Sequence, residues 1–145
     1  MTPTTRIHVV GDLSAQYLLE THHDQQVKLD FIHNHPNTRS NIAILIIAKG
    51  TANVTLDATV TVLAEAINTS TQLDIYVVTE PTAKVTAAPN LIIDNNLVNA
   101  GHTLTTINLV EQNAYYLASR GIDSHRARQL QISNLLAKFA NAIKL

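Results

Sequence analysis

Histidine is the side chain in this sequence best suited to chemistry. The chain has seven histidines and no cysteine, which excludes thiolate nucleophiles, disulfides and cysteine-ligated zinc or iron–sulfur sites within this chain. Two clusters stand out, His22–Asp24 and His33–His35. Imidazole pairs suit zinc, nickel or copper, but a competent site needs three or four converging ligands and the spacing assures only two. The sequence therefore does not predict a physiological metal at either cluster.

The motifs of several enzyme classes are absent. There is no G-x-S-x-G nucleophile elbow, Walker-A loop or G-x-G-x-x-G turn. A carbohydrate-active β-helix enzyme remains as an alternative that rests on fold analogy alone. Such an enzyme needs carboxylates that converge in a groove, so the following residues would have to share one exposed strand face: Asp57, Glu65, Asp74, Glu80 and Asp94.

Composition argues against nucleic-acid and membrane partners. Aromatic residues make up 4% of the chain and the net charge is −1, whereas base-stacking modules need aromatics and DNA-binding domains are usually basic. The longest uncharged apolar run, Ile42–Ala48, is too short for a membrane span of about 20 residues. The first residues contain no apolar signal segment, so a cytoplasmic location is expected.

The elements that position these side chains are mainly strands. Val, Ile and Thr account for 42 of the 145 residues, and such β-branched side chains favour sheets. Apolar and polar residues alternate over Ala52–Ala66, which predicts a strand with one buried face. Asn41–Ala48 is apolar without alternation, which predicts a strand covered on both faces. Shorter strands are expected at Asp74–Val78, Lys84–Thr86, Leu91–Ile93 and His102–Ile107.

The connections between these strands favour a solenoid. Hairpins prefer Asn-Gly, Asp-Gly or Gly-Gly pairs, and none occurs in the chain. The separators are instead small polar clusters such as Lys49–Thr51, Pro89-Asn90 and Asn99–Gly101. Many short strands with Asn and Thr at the corners are typical of a β-helix, although a β-sandwich also fits this length.

The hydrophobic period changes to that of a helix after residue 107. Asn108 is a suitable N-cap for a helix over Leu109–Ser119, and Gly121 suits the position after its end. Asp123 can cap a second helix, predicted over 124–143, whose apolar residues fall on one stripe. That stripe consists of Ala127, Leu130, Leu135, Leu136, Phe139, Ala140 and Ile143. Residues 120–145 carry five basic side chains and one acidic side chain, which indicates either an acidic partner or a solvated helix face.

Two stretches carry a specific resemblance. Residues His33–Ser40 fit the pattern H-x-x-P-N-T-x-S. The second stretch combines Pro89–Ile93, His102, Tyr115–Ile122 and Ala127-Arg128. Their joint order and spacing resemble the SufB/SufD family, the scaffold proteins of the SUF iron–sulfur cluster assembly system, over residues 31–143.

The resemblance implies both a fold and a role. The family core is a right-handed parallel β-helix followed by C-terminal helices. A single domain is therefore expected, with a cap or edge segment at 1–30, the β-helix at 31–107 and helices at 108–145. The implied role is that of a non-enzymatic scaffold that acts with SufC, an ABC-type ATPase. SufC docks on the C-terminal helices of the family, where the candidate contact residues are Arg120, Arg126, Arg128 and Lys138.

The resemblance also assigns roles to two histidines. His102 matches the family histidine at the interface where SufB and SufD meet and a cluster is built, so it is a candidate iron ligand. His33 is expected to be structural, next to the turn at Pro36-Asn37. Two departures bear on activity: Thr103 follows His102, where Gly or Glu is usual, and the chain lacks the cysteine that the B-type member carries near its cluster site.

These departures shape what the chain is expected to do. It resembles a family member shortened to the C-terminal part of the β-helix and its helices, and it offers no thiolate of its own. Any cluster would then be transient and shared with a partner chain, rather than held stably by this chain alone. The partner is expected to be a SufB-like chain or a second copy, giving a homodimer. The alternative is a degenerate accessory paralogue without cluster chemistry.

Overall fold

The computed structural model describes residues 3–107, 119–121 and 123–145. Within them the chain forms nine β-strands and one α-helix, α1 (Ser124–Lys138). The strands are β1 (Thr4–Val9), β2 (Asp12–Thr21), β3 (Gln25–His33), β4 (Arg39–Ala48), β5 (Asn53–Val62), β6 (Thr69–Thr79), β7 (Lys84–Ile93), β8 (Val98–Thr106) and β9 (Ile143–Lys144). Apart from its last residue, the helix predicted over Leu109–Ser119 lies outside the described residues. In the part of the chain that is described, no helix has the length and apolar character needed to cross a bilayer.

Consecutive strands from β1 to β8 alternate between two sheets, and every pair is parallel. Sheet 1 has the order β1-β3-β5-β7 and sheet 2 the order β8-β6-β4-β2-β9. Paired residues in successive coils are 24 to 31 positions apart, as in Thr4↔Lys28 and Asn53↔Lys84. The fold is therefore a parallel β-solenoid of about three turns. This confirms the predicted mainly-β, parallel β-helix class and rules out the antiparallel sandwich.

The strand patterns that the sequence predicts are present in β5 and β4. Every even residue from Val54 to Val62 is fully buried, whereas the odd residues are half-buried or exposed. In β4, Ile44 and Ile46 face the solenoid interior, while Leu45 and Ile47 belong to a second apolar cluster that includes residues of α1. The interior is filled by stacked aliphatic rows and by an edge-to-face contact between Tyr17 and Phe31, whose ring centroids lie 5.7 Å apart.

Several strand boundaries differ from the prediction. The segments Lys84–Thr86 and Leu91–Ile93 join into β7, because Pro89 lies in an edge strand, where a missing N–H is tolerated. The turn predicted at Asn99–Gly101 is wrong, because these residues continue the ladder of β8 beside β6. The paired strands already begin at Thr4, well before residue 31, so β1, β2 and most of β3 extend the solenoid toward the N-terminus.

The helix α1 begins where the sequence predicts but ends earlier. The Asp123 side chain caps its first turn by accepting a hydrogen bond from the Arg126 N–H. Its last residue is Lys138, rather than residue 143. Phe139 leaves the helical conformation while its N–H bonds the carbonyls of Leu135 and Leu136. The chain then turns so that β9 can pair with β2.

The helix packs on the outer face of sheet 2. Ile132 of the helix and Phe139, which follows its last residue, are buried on that face. They pack with Leu18 of β2 and with Leu45 and Ile47 of β4. The ring of Phe139 also meets Tyr76 edge to face at a centroid distance of 6.2 Å. The predicted apolar stripe is wrong at three residues, because Leu130 is 44% exposed and Ala140 and Ile143 are exposed beyond the end of the helix. Ile132, which the stripe omitted, makes the contact instead.

The corners of the solenoid repeat in register. Asn37 and Asn68 both adopt left-handed backbone conformations, with φ of 60° and 55°, and they occupy equivalent positions in successive coils. Asn tolerates this region better than most residues because its short side chain can bond locally. The Asn37 N–H donates to the Ile67 carbonyl at 2.9 Å, so each corner is stacked on the next. The sequence prediction of Asn at the corners is confirmed here.

A buried polar network joins these corners. His33 is fully buried, with its Nδ1 2.7 Å from the Thr38 hydroxyl and its Nε2 2.9 Å from the Ser40 hydroxyl. The Ser40 hydroxyl lies 2.6 Å from that of Thr71 in the next coil. These contacts explain the pattern H-x-x-P-N-T-x-S physically, because its His, Thr and Ser bond one another while its Asn makes the turn. The structural role expected for His33 is confirmed.

Burial favours a neutral ring at His33, and the hydrogen bonds then assign its tautomer. Since the Thr38 hydroxyl donates to the carbonyl of His35, the proton between Thr38 and His33 belongs to Nδ1, and Nε2 accepts from Ser40. Burial lowers the pKa of His33, because the charged form would lose its solvation. His35, two residues further on, lies outside β3 and is exposed, so the two histidines do not share a strand face as the sequence suggests.

Acidification should destabilise the fold through His33. Because the pKa of the folded ring lies below the unfolded value of about 6.5, the unfolded chain takes up a proton first as the pH falls. The free energy of unfolding is then greatest above about pH 6.5 and decreases below it. Urea denaturation at about pH 7.5 and at about pH 5 measures this difference.

Two variants identify the source of the pH dependence. His33→Gln should lower the free energy of unfolding by about 1–3 kcal/mol near neutral pH. On acidification its free energy of unfolding should fall less than that of the wild type, because it has no ring to protonate. The matched change at the exposed neighbour, His35→Ala, should keep the wild-type dependence. A His33→Gln chain that loses as much stability on acidification as the wild type would show that the effect arises elsewhere.

Candidate interface at the open end of the solenoid

The two ends of the solenoid differ in how well their interior side chains are covered. At the N-terminal end Val9, Tyr17 and Leu19 are buried, at 1%, 6% and 2% exposed, while Ile7, Leu13 and Ala15 are half-buried. At the β7–β8 end, Ile93 and Leu104 are 40% and 48% exposed, although they pair with buried residues of β5 and β6. Among the described residues, no further coil covers the inward row of β7 and β8, which is the character of an interface.

His102 lies in this open row. It is paired in register with Leu73, which is fully buried and faces the interior. Parallel partners point to the same side of a sheet, so His102 continues an interior row, flanked two residues away on either side by Ala100 and Leu104. Its side chain is exposed, because β8 is an edge strand of sheet 2 and no described strand pairs with its free edge. An imidazole here is accessible to a partner that docks on the end of the solenoid.

Polar contacts on the outer face hold the backbone on both sides of His102. The Asp74 carboxylate accepts hydrogen bonds from the Thr103 hydroxyl at 2.7 Å and from the Gln72 amide at 2.8 Å. The Gln72 side chain lies over Gly101, where a Cβ would be 2.6 Å from its Oε1. Thr103 therefore has a positioning role here, tying β8 to β6 beside His102.

Asn95 fixes the corner that leads into β8. Its Nδ2 donates to the carbonyls of Leu63 and Ala66 in the preceding coil at 3.0 and 3.1 Å, and its Oδ1 accepts from the Leu97 N–H. One amide thus clamps the last corner onto the previous one. The sequence predicts only a break between strands at Asp94–Asn96, although an Asn in a turn is the type of residue that makes such bonds.

The chemistry available at this end is that of a single imidazole. Neutral histidine is a common metal ligand, but no group of three or more His, Cys, Asp or Glu side chains with metal-binding geometry occurs among the described residues. His102 can therefore supply one ligand, and the described residues place no second ligand beside it.

The other histidine cluster has local structural contacts. His22, His23 and Asp24 are all exposed in the turn after β2. The Asp24 carboxylate accepts from the Asn53 N–H at 2.8 Å, and the His23 N–H donates to the Thr21 hydroxyl. These bonds stack the turn on its neighbour and leave no convergent ligand set.

The structure places the four basic contact candidates at different points around α1. Arg120 and Arg126 are exposed near its start. Arg128 is half-buried and lines a cleft of about 560 Å³ beside the carboxyl ends of the sheet 2 strands, together with His22, Lys49, Glu80 and His125. Lys138 is exposed in the last turn, where its carbonyl accepts from the Gln16 side chain at 3.3 Å.

The carboxylates do not gather in a groove. Asp57 lies on the outer face of sheet 1 and Asp74 on the outer face of sheet 2. Glu65, Glu80 and Asp94 lie in connections after three different strands. The arrangement that a carbohydrate-active enzyme would require is not formed by these residues.

Comparison with known families identifies one match. A family model described as "SUF system FeS cluster assembly, SufBD core domain" matches residues 6–134. That range runs from β1 into α1 and contains both His102 and the corner at His33–Ser40. It begins well before residue 31, in agreement with the strands found at the N-terminus. No curated protein matches the sequence.

The clamp formed by Asn95 should control the order of the last coil. Asn95→Ala removes the donor to two carbonyls and should lower the free energy of unfolding by about 1–2 kcal/mol. It should also speed amide hydrogen exchange in β8 while leaving β4 unchanged, since β8 is the edge strand. The matched variant Asn96→Ala changes an exposed neighbour and should behave as the wild type. Equal exchange in β8 for both variants would contradict the role of Asn95.

Proposed function

Because this chain belongs to the SufBD core-domain family of the SUF system for iron–sulfur cluster assembly, we propose that it is a non-enzymatic scaffold on which a cluster is assembled at a shared interface. The observation that carries this proposal is the open β7–β8 end with His102 in its interior row. In this proposal the cluster is cargo that passes through the interface, and it is not a resident cofactor.

His102 contributes one ligand to that cargo, and the partner chain contributes the others. Support comes from the sequence, which has no cysteine, and from the single accessible imidazole at the open end. Iron–sulfur clusters are usually held by thiolates, with histidine as an occasional substitute. A cluster bound by one histidine of this chain is therefore stable only while both chains are present, which suits transfer to a further acceptor.

The partner at this end is a SufB-like chain or a second copy of this chain. The exposed leucine at position 104 and the uncovered strand edges of β7 and β8 supply apolar area and unpaired backbone groups. A net charge of −1 adds little repulsion between copies. Two copies that meet through the same end form a closed two-fold dimer, with a buried area on the order of 1,200–2,000 Å² for a stable complex.

An ABC-type ATPase of the SufC kind docks on α1 in this proposal. The helix buries one side against sheet 2 and leaves Arg126 and Leu130 exposed one turn apart on the other. An exposed leucine beside a basic side chain suits a partner surface with an apolar pocket and acidic rim. The ATPase would supply the energy of nucleotide hydrolysis, and this chain itself would hydrolyse nothing.

Anaerobic purification of the tagged chain from its own cells tests the scaffold role. The wild type should bring down an ABC-type ATPase together with iron. His102→Ala should keep the ATPase, because α1 is untouched, but should lose most of the iron. The control His8→Ala changes an exposed histidine at the opposite end of the solenoid and should keep both. Iron that is retained equally by the His102→Ala chain would refute the ligand role, and the absence of any ATPase would refute the partner.

Light scattering tests the interface independently of iron. The purified wild type should have twice the mass of the chain at micromolar concentration, and Leu104→Lys should reduce it to that of one chain, because a charge would be buried at the contact. Leu130→Lys changes a leucine of similar exposure on α1 and should remain dimeric. A wild type that stays at the mass of one chain on concentration would contradict self-association.

A further inference from the structure

The two ends of this solenoid are complementary to each other as well as to themselves. One end presents the edges of β1 and β2, and the other presents those of β7 and β8. All pairs between coils are parallel, so the β7–β8 end of one copy could continue the ladder on the β1–β2 end of another. Such head-to-tail addition does not form a closed assembly, because each added copy presents a new free end, and it therefore produces filaments.

The strand β9 occupies the edge on which that addition would have to start. Ile143 and Lys144 pair in parallel with Tyr17 and Leu18, and the Leu145 N–H donates to the Leu18 carbonyl at 2.9 Å. This position lies within β2 rather than at its end, so an incoming strand of nine residues, such as β8, cannot pair along the edge while β9 is there. A further coil needs the edges of both β1 and β2, so blocking the edge of β2 is sufficient to prevent its addition.

The strand is held in place by α1. Only four residues separate the end of the helix from Ile143, and Phe139 at that end is buried on sheet 2. Within the connection, the Ala142 N–H donates to the Phe139 carbonyl at 3.0 Å. A short tether of this kind gives β9 a high effective concentration at the edge of β2, against which a second copy competes poorly.

The strand is itself a poor template for further pairing. It is two residues long, and it carries an exposed lysine, Lys144. Short edge strands and lysine are common means by which sheets avoid adding another chain. β9 therefore replaces an edge of ten residues with one that offers almost no ladder.

We propose that β9 is a blocking strand that keeps the N-terminal end of the solenoid from accepting the β7–β8 end of a second copy. It makes association a closed event at one end, so that the chain forms a pair and does not polymerise. This inference deepens the proposed function, since a scaffold that can associate at only one end directs His102 to a single partner. The blocking by β9 does not itself depend on the dimer.

A double variant removes the blocking strand from the full-length chain. Ile143→Pro with Leu145→Pro eliminates the N–H groups at both positions, including the donor to Leu18, and proline does not continue a ladder. The control Ile143→Ala with Leu145→Ala truncates the same two side chains, which are 55% and 39% exposed, but keeps the backbone donors. Sedimentation velocity over a range of concentrations compares both with the wild type.

The proline variant should form species larger than the wild type that grow with concentration, because head-to-tail addition then competes with pairing of two β7–β8 ends. The alanine control should keep the wild-type distribution. Adding Leu104→Lys to the proline variant should abolish the growth, because it disables the other end. A folded proline variant with the wild-type distribution at every concentration would overturn the proposal. Growth that persists with Leu104→Lys would also overturn it, since the species would then be non-specific aggregates.

Two further readouts keep the test decisive. Circular dichroism shows whether the double variant keeps its sheet signal, and if it does not, Leu145→Pro alone, which removes one donor, carries the same comparison. A wild type that is monomeric would refute the proposed dimer but not the blocking strand, because the prediction concerns growth of the proline variant relative to the wild type.

Discussion

Each coil of this protein covers its interior side chains only by stacking on the coils above and below it. Strands such as β5 succeed because both neighbours are present, and their inward residues are fully buried. The same constraint leaves the two end coils with interior rows and strand edges that lack a neighbour. The two ends differ in how their strand edges are covered, and the functional proposals follow from that difference.

At the N-terminal end, the chain covers part of the edge of β2 with its own strand β9. The helix α1 crosses the outer face of sheet 2 and returns the chain to the edge of β2, where β9 pairs. At the other end, the described residues leave β7 and β8 open, with His102 in a row that would otherwise be core. A polar, metal-ligating side chain at a core position of an uncovered coil costs nothing while it is solvated, and it becomes useful when a partner docks.

The sequence revealed most about the middle coils and least about the ends. The alternation over Ala52–Ala66 and the continuous apolar run at Asn41–Ala48 predict β5 and β4 correctly, because residues in the middle of a stack show their burial directly. Pro89-Asn90 and Asn99–Gly101 suggest breaks, yet both lie inside edge strands, where ladder rules are relaxed. The early end of α1 and the pairing of β9 depend on contacts more than 100 residues apart, which no local pattern encodes. His102 was identified by resemblance, and its inward register became visible only through its pairing with Leu73.

The central claim is that this chain meets its partner through the β7–β8 end. Amide hydrogen exchange, followed by mass spectrometry at concentrations above and below the point of association, tests it most directly. Association should slow exchange in Val98–Thr106, whose outer edge pairs with no described strand, and should leave Thr4–Val9 and Asp12–Thr21 unchanged. Slowing confined to those two N-terminal strands, or unchanged exchange across Val98–Thr106 in a sample that is demonstrably associated, would contradict the claim.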